Sequence, residues 1–349
     1  MPKTENSMKS IYFSQHGSAN VLDYGEMPLP SLQAGEVLVR LRNAALNHLD
    51  IWVRDGWPGL KISFPRIPGA DGAGDIVELG AGVNGWKVGD RVVVNANIGC
   101  GECEYCLQGK DNLCRNLKLL GENINGTFCE FIEVPVQQLY KLPDEFDYAN
   151  AAAAGLVYHT AWHSLISRGG LKSSDHVLIV GAGGGVNTAS IVISKYFGAE
   201  VTVIGSSKDK LNLAKYLGAD FLIDRTKTPE WYKEVHTVTH SHGADLIVDN
   251  VGTTFPYSFR AAAKGGRILT VGNSGGTKFE IDNRYVFSKQ LSILGSSMGT
   301  REDFKDVMDL VTTRKLKIAI DHIYPLKAAR AAQENMEAGN QLGKIVLEI

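Results

Sequence analysis

The sequence predicts an α/β protein in which a doubly wound parallel-sheet domain is inserted into an irregular β domain. Three observations carry this. Residues 8–150 read as short apolar runs, VLVRLRNAAL (37–46), GDIVELG (74–80) and DRVVVNA (90–96), punctuated by Gly, Pro and Asp. After about residue 155 strands and helices alternate at βαβ spacing, which implies a parallel sheet. From 318 the pattern becomes strand, amphipathic helix (326–337), strand (343–348), a tail that packs back on the first domain. The expected division is 1–155 with 315–349, and 156–314 between them. At roughly 100–200 residues per domain, 349 residues suit two domains.

The inserted domain can be followed element by element. HVLIV (176–180) is a buried strand and 186–197 its helix. VTVIG (201–205) leads to a helix at 208–217. FLI (221–223), a polar helix near 229–240 and ADLIVDN (244–250) continue the alternation. A helix near 255–263 precedes GRILTVG (266–272), LSILGS (291–296) adds an edge strand, and 301–313 closes the domain.

Composition excludes several classes. Lys plus Arg number 36 and Asp plus Glu 38, so a net charge of -2 gives no electrostatic footprint for nucleic acid or an anionic membrane. No apolar stretch approaches the roughly 20 residues of a membrane span. The N-terminus, MPKTENSMKS, lacks the apolar core of a signal peptide, and residues 1–7 read as a polar tail. Four of the five cysteines fall at 100, 103, 106 and 114, a clustering that points to metal and a reducing compartment, by default the cytoplasm.

The spacing Cys100-x2-Cys103-x2-Cys106-x7-Cys114, in a lobe spanning 98–115, lets four thiolates close a tetrahedron around one structural Zn²⁺ with no position left for water. The bacterial iron–sulfur pattern ends C-x3-C-P. Here the last gap is seven and Arg115 follows. Cys129 stands apart and carries no assigned role.

VLIVGAGGGVN (177–187) runs a buried strand through glycines into a helix, the context of a dinucleotide-binding turn. Gly181, Gly183, Gly184, Gly185 and Val186 are the expected pyrophosphate residues. The third glycine position falls on Val186, with Asn187 next, so either one residue is inserted or the packing is looser. About 20 residues on, the second strand ends in Gly205, Ser206, Ser207, Lys208, Asp209 and Lys210. No carboxylate sits at the strand end. Hydroxyls at Ser206 and Ser207 and the charge of Lys210 suit a 2′-phosphate, so NADPH is expected over NADH. Asp209 is the objection, although an acid is favoured in a first helical turn for dipole reasons alone.

Together these motifs, with PGADGAG (68–74), GVNGWKVGDRV (82–92) and GKIVLEI (343–349), resemble the medium-chain dehydrogenase/reductase family of zinc alcohol dehydrogenases and quinone oxidoreductases. The resemblance implies a GroES-like first domain, a Rossmann second domain and an active-site cleft between them. It places the family's catalytic-zinc positions on Asn47, Ala70 (followed by Asp71) and near Leu156, and its proton-relay Ser or Thr on Leu49, so a catalytic metal is not expected. His48 and Asp50 alone do not make a replacement site. Asn47 becomes the candidate hydrogen-bond donor to a developing oxyanion, with a structural bond to backbone as the competing reading. Tyr158 is a candidate proton donor, with core packing as its competitor. Thr160 and Asn273 resemble the family's nicotinamide-side residues, and Trp52 and Trp57 are candidate pocket walls. The expected activity is NADPH-dependent hydride transfer to an activated C=C or quinone, with a small-molecule substrate and a homo-oligomeric chain. A metal-independent alcohol or carbonyl dehydrogenase, or a catalytically silent nucleotide-binding protein, remain the alternatives.

Overall fold

The structure, a computed structural model, describes residues 7–276 and 278–349. It divides into two compact units: one holds the described residues up to Leu156 with Thr300–Thr312 and Ile320–Ile349, the other Val157–Gly299 with Thr313–Ala319.

In chain order the first unit contains β1 (Ser7–Tyr12), β2 (Asp23–Pro28), β3 (Glu36–Ala45), α1 (His48–Asp55), β4 (Asp71–Leu79), β5 (Arg91–Val94), β6 (Asn97–Ile98), α2 (Glu104–Leu107), β7 (Lys118–Leu119), β8 (Phe131–Pro135) and β9 (Leu139–Lys141). Helix α3 (Tyr148–Trp162) carries the chain into the second unit. There follow β10 (His176–Val180), α4 (Gly185–Tyr196), β11 (Glu200–Gly205), α5 (Lys208–Tyr216), β12 (Phe221–Asp224), α6 (Trp231–Val238), β13 (Ala244–Asp249), α7 (Phe255–Ala261), β14 (Ala262–Thr270), α8 (Asn283–Lys289) and β15 (Ser292–Gly295). The chain then returns to the first unit with α9 (Arg301–Thr312), β16 (Ile320–Pro325), α10 (Ala329–Glu337) and β17 (Lys344–Glu348). Ser7, expected in a polar tail, already belongs to β1.

The second unit is a parallel sheet of order β12-β11-β10-β13-β14-β15. Every residue of β10 is buried, as expected for a strand covered on both faces. The order reverses between β10 and β13, and this switch point is where open α/β sheets bind ligands.

The first unit is built on the path β16-β17-β3-β4-β5-β9, with β8 also paired to β3. β3 alternates, burying Val37, Val39 and Leu41 while Arg40 and Arg42 face out. β4 and β17 both run antiparallel to it, Ala45 pairing with Asp71 on one side and Val346 on the other. The starts of β4 and β17 therefore flank the end of β3.

One element departs from the sequence reading. The helix expected to close the inserted domain, α9, belongs to the first unit. Arg301 N donates to Asp111 Oδ1 at 3.1 Å and Tyr140 Oη to Asp309 at 2.6 Å. Its amphipathic stripe, Phe304, Val307, Met308 and Val311, is buried; such a stripe shows that a face is covered and not by which neighbour.

Candidate active site and zinc lobe

Asn47 follows β3 as the N-cap residue of α1, and Asp71 and Lys344 open the two strands beside β3. The three side chains meet in a buried network. Lys344 Nζ donates to Asn47 Oδ1 at 2.7 Å, to the Leu46 carbonyl at 2.7 Å and to Asp71 Oδ2 at 3.0 Å. Asn47 Nδ2 donates to the same Asp71 oxygen at 2.9 Å. Asp71 Oδ1 accepts the Leu156 backbone N–H at 2.6 Å. Gly155 makes this approach possible, because a Cβ there would lie 2.4 Å from Asp71 Oδ1. The positions the resemblance picked out, 47, 70–71 and 156, thus do converge, on an ammonium–carboxylate pair.

Asp50 anchors the same turn. Its Oδ2 accepts the Asn47 N–H at 2.7 Å and its Oδ1 the Gly69 N–H at 3.1 Å. Burial pushes its carboxyl up to about 7, against those two donors and the charge of Lys344. Its role is to hold the helix start and the 69–71 segment. His48 is exposed, its ring 6.2 Å from that of Trp52, and both Trp52 and Trp57 are surface residues.

Tyr158 corrects the sequence reading. It is fully buried, its hydroxyl donates to the Lys317 main-chain carbonyl, and burial drives the phenol well above its ordinary range. A phenol whose hydrogen is committed to a backbone acceptor in an apolar surround packs the core. In this arrangement its hydrogen is directed at the Lys317 carbonyl oxygen, in line with the competing reading given to it from the sequence.

In the second unit the glycine turn joins β10 to α4. Gly181 has φ +107°, and a Cβ on it would lie 2.6 Å from Asn187 Nδ2. Asn187 Nδ2 donates to the carbonyls of Val180 at 2.9 Å and Gly181 at 3.0 Å, and its Oδ1 accepts from Asn250 Nδ2 at 3.1 Å. Asn250 Oδ1 in turn takes the Val271 N–H at 3.0 Å. The helix residue that closes on the strand end is therefore 187, one later than a G-x-G-x-x-G spacing supplies, and an amide bridge replaces glycine contact. This bridge ties β10, β13 and the segment after β14 together at the switch point.

Two features fit a bound dinucleotide. α4 begins at Gly184–Gly185 without a side-chain cap, and a Cβ on Gly184 would meet nothing within 4 Å. Open space before uncapped N–H groups is what a pyrophosphate requires. Thr160 is buried, and its Oγ1 has no hydrogen-bond partner among the described residues, the condition of a group waiting for a ligand amide. Ser207 caps α5, accepting the Lys210 N–H at 3.4 Å, with Asp209 in the first turn. Asp224 lies opposite Gly205 in register, its carboxylate held by Thr226. Asn273 lies in the segment after β14, where its carbonyl accepts the Gly276 N–H at 3.0 Å.

The four lobe cysteines bring their sulfurs within 4.8 Å of one another. Sγ of Cys100 and Cys106 are 4.0 Å apart, and those of Cys103 and Cys114 3.8 Å. A tetrahedron with zinc–sulfur arms of 2.3 Å has edges of about 3.8 Å. Backbone N–H groups of Cys100 and Asn116 point at Cys114 Sγ, and that of Cys103 at Cys100 Sγ. Such donors stabilise thiolates, so the cluster fits zinc. Cys129 is buried apart, its thiol bonded to the Gly126 and Phe131 carbonyls and pushed up by burial.

Comparisons with known proteins bear on both units. Residues 33–144 match the model of the alcohol dehydrogenase GroES-like domain and 185–313 that of the zinc-binding dehydrogenases. An NAD-dependent alcohol dehydrogenase of Sulfolobus acidocaldarius is 33% identical, covering 98% of this chain and 100% of its own. The chain belongs to the medium-chain dehydrogenase/reductase family. An acryloyl-coenzyme A reductase of Sulfurisphaera tokodaii is 30% identical over 93% of this chain and 95% of its own. The crystal structure of an NAD-dependent alcohol dehydrogenase superposes with a TM-score of 0.95 at 40% identity, over 98% of this chain and 100% of that one. The first unit is the family's GroES-like domain, the second its Rossmann sheet, and the protein is an NAD(P)H-dependent oxidoreductase. No helix among the described residues is long and apolar enough to cross a membrane.

Sequence reasoning missed Lys344 and Asn250 and treated Asp71 only as a departure. A lysine opening the apolar run KIVL, and an asparagine closing ADLIVDN, were the available signals.

Proposed function

We propose that the protein reduces activated C=C bonds or quinones, such as an enone, a quinone or an enoyl thioester, using NADPH and no catalytic metal. The observation that carries this is the Lys344–Asp71–Asn47 network. Zinc alcohol dehydrogenases hold their metal with thiolates and imidazole, whereas the positions that resemble those ligands here carry Asn47, Ala70 and Leu156. The Lys344 ammonium, 2.7 Å from Asn47 Oδ1 and 3.0 Å from Asp71, takes up the amide oxygen and the carboxylate in an internally neutral ion pair, which leaves neither committed to a metal. Relatives named acryloyl-coenzyme A reductase support reduction of a conjugated thioester; those named alcohol dehydrogenase support the alternative, oxidation of an alcohol without metal.

A bound reduced nicotinamide would supply the hydride, and the charge left on the acceptor oxygen would be balanced by a proton from water, at the α-carbon of an enone or enoyl thioester and at oxygen in a quinone. The chain's part is to lower the cost of charge on that oxygen. Asn47 Nδ2 has two hydrogens. One goes to Asp71, while the other meets only the Ala45 carbonyl at 3.5 Å, the outer limit of a hydrogen bond. That second N–H is the donor to the oxyanion. Thr160 and Asn273 position the nicotinamide, Gly181, Gly183, Gly184, Gly185 and Val186 the pyrophosphate, and Ser206, Ser207 and Lys210 the 2′-phosphate.

Following NADPH absorbance against enones, quinones, enoyl thioesters and aldehydes, with and without chelator, tests this reading. Reduction of a conjugated acceptor, unaffected by chelator, is expected. Rapid oxidation of simple alcohols with no turnover of any enone or quinone would overturn it. For the cofactor, Asp209, Asp224 and the relatives named NAD-dependent weigh toward NADH. Lys210→Ala should weaken NADPH binding and leave NADH binding unchanged. Tighter binding of NADH by the unaltered protein would refute the NADPH assignment.

A further inference from the structure

We propose that Lys344 is a positioning residue for hydride addition: its buried ammonium, held by Asp71 and the Leu46 carbonyl, orients and polarises the Asn47 amide so that its remaining N–H becomes a stronger donor. This rests on the reading of Asn47 given above. Lys344 is 4% exposed, and its three ammonium hydrogens face three acceptors within 3.0 Å. None is left for a substrate, so Lys344 acts through its neighbour. The neighbour is fixed by electrostatics. With Oδ1 toward the ammonium and Nδ2 toward the carboxylate, both ends of the Asn47 amide are paired. A flip would set NH₂ against the ammonium and oxygen against the carboxylate.

Two pulls then act on one amide. The ammonium draws electron density toward Oδ1, which leaves the nitrogen poorer and its hydrogens more acidic. Asp71 claims one of those hydrogens and defines where the other points. Asp71 is itself immobilised: its Oδ1 takes the Leu156 N–H, and its main-chain carbonyl accepts the Thr127 hydroxyl at 2.6 Å. Asn47 is 6% exposed and Asp71 1%, so little water screens the arrangement. The Asn47 amide is thus held between an ammonium on its oxygen and a carboxylate on its nitrogen, the ammonium supplied by the lysine that opens β17.

The test is a double-mutant cycle on the single-turnover rate of hydride transfer, with the conjugated acceptor that the wild type turns over, combined with NMR of protein labelled with ¹⁵N-asparagine. Lys344→Met should slow hydride transfer about tenfold to a hundredfold, less than the loss of a whole oxyanion donor, while KM and the cofactor Kd stay within about threefold. Lys344→Arg should restore most of the rate. In an Asn47→Ala background, Lys344→Met should cost no more than about twofold. An equal loss in both backgrounds would overturn the proposal. If removing one charge unfolds the protein, Asp71→Asn with Lys344→Met removes both, and wild-type rates in a folded double variant would be equally fatal. Should no acceptor be reduced, the function proposed above fails, and the NMR arm decides Lys344 by itself. Its charge should hold the Asn47 side-chain amide protons downfield, and they should move upfield in Lys344→Met alone among the asparagine side chains. An unmoved Asn47 resonance would sink the inference.

Discussion

At the scale of single residues, the site separates groups that are free to do chemistry from groups the fold has already committed. Tyr158 is committed. Losing one hydrogen bond to a backbone carbonyl is expected to destabilise the protein by about 1 kcal/mol. Tyr158→Phe should therefore lower stability slightly and leave the pH profile of turnover unchanged; loss of the alkaline limb would restore Tyr158 as the acid. Asp50 is also committed, but it reports its burial through pH. Its folded-state value of about 7 lies above the 3.8 of an unhindered aspartate. Between those values the folded state binds more protons than the unfolded chain, so the Asp50 contribution to stability falls as pH rises through that window and is level above it. Asp50→Asn loses an acceptor but does not titrate. The stability of wild type relative to the variant, by urea unfolding at about pH 5 and about pH 8, should shift toward the variant at the higher pH. A pH-independent difference would show that Asp50 is not a buried acid.

At the scale of elements, legibility follows how local the cause is. β10 and β11 could be placed almost to the residue because near-complete burial leaves short, mostly apolar segments, HVLIV and EVTVIG, each closed by a glycine. The cysteine lobe was legible for the same reason: all four sulfurs come from one segment of 15 residues, so spacing alone implies convergence. Elemental analysis of protein purified without added metal should find one zinc per chain. Two equivalents would contradict the proposed metal-free active site, and iron would contradict the zinc assignment. Zinc in small Cys/His peptides contributes roughly 10–16 kcal/mol of apparent binding energy. Its removal here should raise hydrogen exchange in the lobe, with little change in β3 or β10. The Lys344–Asn47 contact was not legible, because it joins residues 297 apart through the register of β17 on β3. The same holds for α9, whose sequence specifies a buried stripe and leaves its partner to the topology. Asn187 lies between these cases. Its departure from glycine was visible, but its role depends on Asn250, which only the parallel order of β10 and β13 brings alongside.

At the scale of the whole molecule, the second unit ends in an unprotected edge. β15 is the outermost strand and is only partly covered: Ile293 is 38% exposed. Phe287 on the preceding helix is 66% exposed and Ile281 50%. An apolar edge strand is a liability unless something pairs with it. A second copy can do so by a two-fold axis at the edge, which sets β15 antiparallel to its own copy and makes the interface self-complementary. The expected state is therefore a homo-oligomer, most simply a dimer, with a light-scattering mass near twice the 37.9 kDa of the chain. Ile293→Lys should push it toward the monomer, because a charge at the centre of a short pairing strand is buried without a partner in the dimer and solvated in the monomer. A wild-type mass equal to one chain would refute the dimer. An oligomer indifferent to Ile293→Lys would show that the copies associate elsewhere and that the edge is covered in some other way.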